Sequence, residues 1–289
     1  MVHLKNDFLE IEIDAKGAEV KKIVHRQFKL NYLWNGDPAY WNRSSPVLFP
    51  IVGKVKDNTY TYDNTSYHLT QHGFARDTVF TLERATEEEA VFFISSTVET
   101  QTVYPFPFRL YIIYTLSKAT LNVAYEVMND GTKDMLFSIG AHPGFNCPLE
   151  SGLAFEDYQL VFERKEQAPR LLVGSNGISR RTEKVFAQDS QVIPLTYDLF
   201  GAKDAIIFKD LHSSYMTLMS EKSVHGLRFS FEGFPYMGIW TKPGPFLCIE
   251  PWYGIADFED ADGKLENKEG IVRLGAAKTF KAQYTMEFF

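Results

Sequence analysis

Cysteine is nearly absent from this chain of 289 residues, and the two that occur, Cys147 and Cys248, stand far apart in apolar surroundings. Two thiols cannot build a disulfide framework, and their separation fits no zinc-binding spacing. Buried free thiols are expected instead. Basic stripes are missing too: the net charge is −7, and no stretch of the chain gathers positive charge. That excludes a surface built to neutralise a phosphate backbone, so nucleic acid is not an expected partner. No run approaches the roughly 18–20 apolar residues of a membrane span. The opening residues, Met1-Val2-His3-Leu4-Lys5-Asn6-Asp7, lack the charged start and apolar stretch of a signal peptide. A soluble cytoplasmic protein with no membrane partner is the expectation. Long amphipathic helices are also missing, and only Ser190–Phe200 and Glu259–Gly270 are expected to hold a helical turn or two. Neither a linker-like Pro/Gly/Ser stretch nor a fixed-period repeat divides the chain, so one domain over 1–289 is expected.

What the chain does have is aromatic residues and a period of two. Its 24 Phe, 15 Tyr and 4 Trp make 15% of the residues, a class that suits half-buried pleated surfaces. Sugar sites also use aromatic faces against the C–H side of a ring, but packing accounts for most of them. Phe108, Leu110, Ile112, Tyr114 and Leu116 alternate with Arg109, Tyr111, Ile113 and Thr115. Leu121, Val123, Tyr125 and Val127 repeat the pattern. Such alternation places each set on one face of a sheet. Shorter runs follow the same rule, among them Phe8–Ile13, Thr78–Leu82, Ala90–Thr97, Leu153–Phe162, Ala205–Phe208, Met237–Thr241 and Thr279–Phe288. Turn signals such as Asn35-Gly36, Asp63-Asn64, Asp130-Gly131 and Lys242-Pro243-Gly244-Pro245 separate them. Many short strands joined by tight turns predict an all-β antiparallel sandwich with little helix.

Four segments concentrate reactive side chains at apparent strand ends, mostly beside Gly or Pro. They are Gln71-His72-Gly73-Phe74-Ala75-Arg76, Gly140-Ala141-His142-Pro143-Gly144-Phe145, the run from Lys203-Asp204 to Phe208, and Cys248-Ile249-Glu250-Pro251-Trp252-Tyr253-Gly254. Loops at the ends of a rigid sheet are common seats of chemistry. Glu250 follows the apolar run Phe246-Leu247-Cys248-Ile249, so its carboxylate is either desolvated or paired. A salt-bridged strand end and a catalytic carboxylate are both open at this point. His142 and His72 are each either hydrogen-bonded to nearby backbone or proton-handling groups, since imidazole titrates near neutral pH. Arg76 is either a surface ion-pair residue or a ligand-binding one. A metal site from His72, His142 and Asp204 is not expected, because no close pair such as H-x-x-x-H supports it.

Taken together and in order, these segments resemble the aldose 1-epimerase superfamily, in its LacX-like branch. The likeness runs from Phe8 to Phe289 and includes the string Phe49-Pro50-Ile51-Val52-Gly53-Lys54. The resemblance implies a galactose mutarotase-like β-supersandwich that interconverts sugar anomers without cofactor or metal. It implies Glu250 as the base that takes the C1 hydroxyl proton and His142 as the acid that protonates the ring oxygen. His72 is implied as a second histidine hydrogen-bonding the sugar, and Asp204 as a carboxylate accepting from its hydroxyls, with Asp198 and Asp210 close enough in sequence to compete for that place. Trp240 is a candidate aromatic face for the sugar, as is Trp252.

The chain departs from the galactose mutarotases after Gly53. The Asn-Arg-Ile string found there is replaced by Lys54-Val55-Lys56-Asp57-Asn58, leaving Lys54 as a point charge where a planar guanidinium is expected. Conversely, His72-Gly73-Phe74-Ala75-Arg76 is similar to the hexose-6-phosphate 1-epimerases, where the arginine helps to bind phosphate. A free aldohexose is the favoured substrate, and a hexose 6-phosphate or a non-catalytic carbohydrate-binding sandwich are the alternatives. A binder would keep the tryptophans but would not need both an acid and a base. The expected partner is a small sugar, and the expected assembly a monomer or homodimer.

Overall fold

The computed structural model describes residues 1–174, 177–186, 190–201 and 204–289. Antiparallel strands make 49% of it and helix 8%, as the period of two predicts. One sheet has nine strands. Its longest pairing is the hairpin Phe108–Ser117 and Thr120–Asn129, which includes the register Leu116↔Leu121 to Phe108↔Asn129. On both strands every second residue is buried, so the alternation in the sequence is the alternation between core and surface. The second large sheet runs in the order 177–183, 170–174, 206–209, 236–240, 246–253, 139–141 and 47–48. The short strand Gly144–Asn146 also pairs with Phe246–Tyr253. A smaller four-stranded sheet occupies residues 2–31.

The two large sheets pack face to face. Leu110, Ile112, Val123 and Met286 of the first share one core with Ile206, Met237, Leu247 and Ile249 of the second. Much of the aromatic content sits in this core, where packing explains it. Buried phenols keep a partner for the hydroxyl: Tyr104 donates to the Leu136 carbonyl at 2.8 Å and Tyr114 to that of Ala18 at 2.6 Å. Both cysteines are buried free thiols.

Several sequence boundaries shift for local reasons. Only Tyr158–Phe162 of the run from Leu153 is strand. The Asp157 carboxylate accepts from the Ala154 amide at 2.8 Å and closes residues 155–157 into a 3-10 turn. The two expected helical segments hold one 3-10 turn each, Tyr197–Leu199 and Leu265–Asn267. A short α-helix, Val98–Val103, was not legible. It is started by a reciprocal Thr97–Thr100 capping pair rather than by an apolar stripe. Among the described residues no helix is long and apolar enough to cross a membrane.

Candidate active site

The strand Phe246–Tyr253 is buried along both faces until its last residue. Leu247 and Ile249 join the core between the sheets. Phe246 and Cys248 cluster with Trp34 on the far side, and Trp252 with Leu48, Ile207 and Tyr236. Because successive side chains alternate, Glu250 lies on that far face, between Cys248 and Trp252. The neighbouring strands divide in the same way, Met237 and Ile239 toward the core and Gly238 and Trp240 toward the far face. In register, Gly238 stands opposite Glu250 and Trp240 opposite Cys248. Gly140 stands opposite Trp252. A Cβ at Gly238 or Gly140 would come within 2.4 or 2.5 Å of the Trp252 ring, so both glycines are needed for that indole to lie on the sheet.

His142 enters from the end of the strand Ile139–Ala141. Its amide donates to the Pro46 carbonyl at 3.1 Å, and the next amide but one, Gly144, donates to Ser44 at 2.8 Å. The Ile249 amide donates to Pro143 at 3.2 Å, which ties the turn after His142 to the strand carrying Glu250. The result is close approach: His142 Nε2 lies 3.2 Å from Glu250 Oε2. The contact is off the line of a hydrogen bond, and both Glu250 Oε2 and His142 Nδ1 are buried without a protein partner. Buried polar atoms in that condition call for an explanation such as a ligand.

Burial dominates the electrostatics. It pushes the Glu250 carboxyl well above the usual carboxylate range, and the charge of Asp204 adds to the effect. The Trp252 N–H partly opposes it, although it makes no hydrogen bond of good geometry. Burial likewise pulls the His142 imidazolium down to about 3, aided by the charges of Arg76 and Arg43. In the protein alone both shifts favour the uncharged members of the pair, a carboxyl and an imidazole that hold one proton between them.

Aromatic rings wall this pair. Trp41 stacks on His142 with centroids 4.8 Å apart and planes 25° from parallel. Trp240 and His72 each meet the same imidazole edge to face at 5.7 Å. His72 sits at φ +67° beside Gly73 at φ +68°. Its Nδ1 accepts from the Gly53 amide at 3.1 Å, which leaves Nε2 as the protonated nitrogen of the neutral ring. Burial, followed by the charges of His142, Arg76, Arg43 and Lys54, holds His72 well below the ordinary imidazole value.

Asp204 accepts from the Trp240 indole N–H at 2.9 Å. Of the three candidate aspartates it is the one whose charge reaches Glu250. Asp198 lies in the Tyr197–Leu199 turn, and the Asp210 amide is held by Pro235. Lys203, beside Asp204 in the same segment, lies outside the described residues. Arg76 donates to the Gln71 carbonyl at 2.7 Å, and its Nε lies 3.7 Å from Asp77. Lys54 reaches His72 by its charge. Its side chain is exposed, and its carbonyl accepts from the Asp257 amide at 2.8 Å.

Two residues of the site were missed in the sequence. Arg43 donates to both oxygens of Asp77, at 2.9 and 3.3 Å, so one carboxylate links it to Arg76. Trp41 and Arg43 belong to a segment held by Glu19, whose buried carboxylate accepts from the Ser44 and Ser45 amides at 2.6 and 2.9 Å. The available signal was local: Tyr40-Trp41-Asn42-Arg43 puts two aromatics and an arginine just after the Asn35-Gly36 turn. A surface cavity of about 280 Å3 lined by Tyr62, Tyr67 and Phe106 includes none of the residues named for this site.

Comparison with known proteins gives a consistent result. The family model described as aldose 1-epimerase matches residues 1–271. The plasmid-encoded protein LacX of Lactococcus lactis subsp. lactis is 33% identical over 98% of this chain and 97% of its own. The crystal structure of a galactose mutarotase related enzyme from Lactobacillus acidophilus superposes with a TM-score of 0.95 at 34% identity, covering 100% of this chain and 97% of that one. A galactose mutarotase-like protein from Lactobacillus casei ATCC 334 gives 0.93 at 30% identity, with both chains covered in full.

Proposed function

The chain belongs to the aldose 1-epimerase family, and on that premise we propose that it interconverts the α and β anomers of an aldose by acid–base opening of the sugar ring. The observation that carries this reading is the 3.2 Å approach of the Glu250 side chain, which is buried, and the His142 side chain, which is 11% exposed. O1 and O5 of a pyranose are bonded to the same carbon. An acid and a base serving them must stand side by side, not on opposite walls.

In the working form the shared proton sits on His142. The Glu250 carboxylate takes the proton of the C1 hydroxyl while the imidazolium gives its own to O5, and the C1–O5 bond breaks. The aldehyde rotates about C1–C2, the ring recloses on the other face, and both protons return. Burial disfavours this ionic form in the protein alone. The C1 hydroxyl donating to the carboxylate and O5 accepting from the imidazolium supply the hydrogen bonds that stabilise it. His72 and Asp204 hold the sugar near its reacting end, and Trp41 and Trp240 offer aromatic faces to its C–H side. Polarimetry of freshly dissolved α-D-glucose and α-D-galactose tests the proposal. Protein that hastens neither, nor any hexose 6-phosphate, would refute it.

One observation favours a phosphorylated sugar as a second reading. Arg76 has no basic companion in its own segment, but the fold brings Arg43 to it through Asp77. Paired guanidiniums suit phosphate oxygens.

A further inference from the structure

We propose that His142, Cys248 and Glu250 form a three-donor site for a divalent ion of the zinc class, and that such an ion blocks the acid–base pair by taking both of its members. Among the described residues this is the one place where three such side chains converge, with their donor atoms all within 4.8 Å of one another. The strand explains the convergence. Cys248 and Glu250 are two positions apart on Phe246–Tyr253 and so share a face, and His142 meets them from the turn tied to Ile249.

The chemistry of the donors selects the ion. Metal–ligand lengths of about 2.0–2.3 Å in a tetrahedral site imply donor separations of roughly 3.3–3.8 Å. His142 and Glu250 already stand at 3.2 Å, and the thiol needs only a small inward movement. Thiolate, imidazole and carboxylate together suit zinc, cobalt or cadmium, whereas magnesium and calcium require shells of oxygen. Charge favours the same answer. Binding releases the Cys248 thiol proton and the proton of the pair to solvent, and the resulting thiolate, carboxylate and neutral imidazole around a divalent cation sum to zero, which removes the penalty that burial imposes on each charge alone. Glu250 Oε2, buried without a hydrogen-bond partner, gains a ligand bond to the ion. Three protein donors leave a fourth position for water. The ion would hold the atoms through which the proposed reaction moves its protons, so metal and sugar exclude each other. The blocking half of the inference rests on the proposed function, while the site itself does not.

Cobalt(II) is the probe for the site. Added to the intact protein, it should develop a thiolate charge-transfer band and the strong visible absorption of a tetrahedral centre. Zinc(II) should displace it, and saturating sugar should suppress it. The band should vanish in Cys248→Ala and persist in Cys147→Ala; Cys248→Ser serves if the alanine variant does not fold. Zinc(II) should inhibit anomer interconversion, with recovery on adding EDTA. Cys248→Ala should keep its turnover but need at least about tenfold more zinc for the same inhibition, since even groups that only support a metal's ligands matter on that scale. Folded wild-type protein that shows no thiolate band, or a band indifferent to Cys248, would overturn the site. Stimulation by zinc would overturn the blocking role. If the protein proves inactive on every sugar, the cobalt titration still decides whether the site exists.

Discussion

Gly238 is the direct cross-strand neighbour of Glu250, and the space its missing side chain leaves is filled by the Trp252 indole. Gly238→Ala therefore forces the indole off the sheet beside the proposed base. We expect a loss of about 1–3 kcal/mol, the usual cost of overpacking, together with a loss of activity. Thermal unfolding and polarimetry on one preparation would check both. An alanine variant with unchanged Tm and turnover would contradict the contact.

Glu250→Gln and His142→Asn should each lower kcat by roughly 10²–10⁴-fold, the range for a positioned acid or base. The fold should survive, since neither side chain belongs to the core between the sheets. Near-normal turnover with an unchanged circular dichroism spectrum would remove that residue from the mechanism.

Activity should follow the proton that the pair shares. Between the depressed step of His142, about 3, and the raised step of Glu250 the pair carries one proton. Log kcat/KM should thus be bell-shaped with a broad top, and its two apparent pKa values belong to the pair. An acidic limb at an ordinary imidazole value of roughly 6.5 would show that His142 is not held neutral.

Stability should respond to the same two groups with opposite signs. His142 has a folded value near 3, below its unfolded value of roughly 6.5. Its contribution is present above the unfolded value and lost as pH falls toward the folded one. Glu250 is raised when folded, so its contribution is present below roughly pH 4.3 and lost as pH climbs. Glu250→Gln should accordingly raise Tm at neutral pH, and His142→Asn should flatten the acid side of the profile. Denaturation series from acid to neutral pH would measure both.

Arg43 and Arg76 separate the substrate classes. If the sugar carries a phosphate, Arg43→Ala and Arg76→Ala should each cut kcat/KM on hexose 6-phosphates by about 10–100-fold, following the ~1.5–3 kcal/mol of a charged hydrogen bond. Free hexoses should be affected much less. Equal losses on both would assign the pair to holding the loop or to sugar hydroxyls.

The chemistry legible in the sequence was the chemistry written into single strands. Glu250 and His142 stood out because each ends an apolar run beside a proline, and the resemblance ordered them with His72 and Asp204. Trp41 and Arg43 were not legible, because what carries them to the imidazole is Glu19, a residue of a different sheet bonded to the backbone of Ser44 and Ser45. Lys54 is what the sequence offers in place of a missing guanidinium, whereas the charge beside Arg76 comes from Arg43, eleven positions earlier in the chain than Lys54. The apolar run around Cys248 predicts a buried thiol, and it is buried. Alternation along the strand puts it on Glu250's face, but only the structure shows that His142 meets both of them there.

The double use of Phe246–Tyr253 has a consequence for how errors in folding are tolerated. Odd residues build the core and even residues the chemistry, so a slip of one residue presents Ile249 to the sugar and drives a carboxylate between the sheets. Misassembly of this strand and loss of the active centre are one event. A form with this strand out of register has neither a sound core nor a working site, and quality control that detects exposed apolar surface guards the chemistry this strand carries.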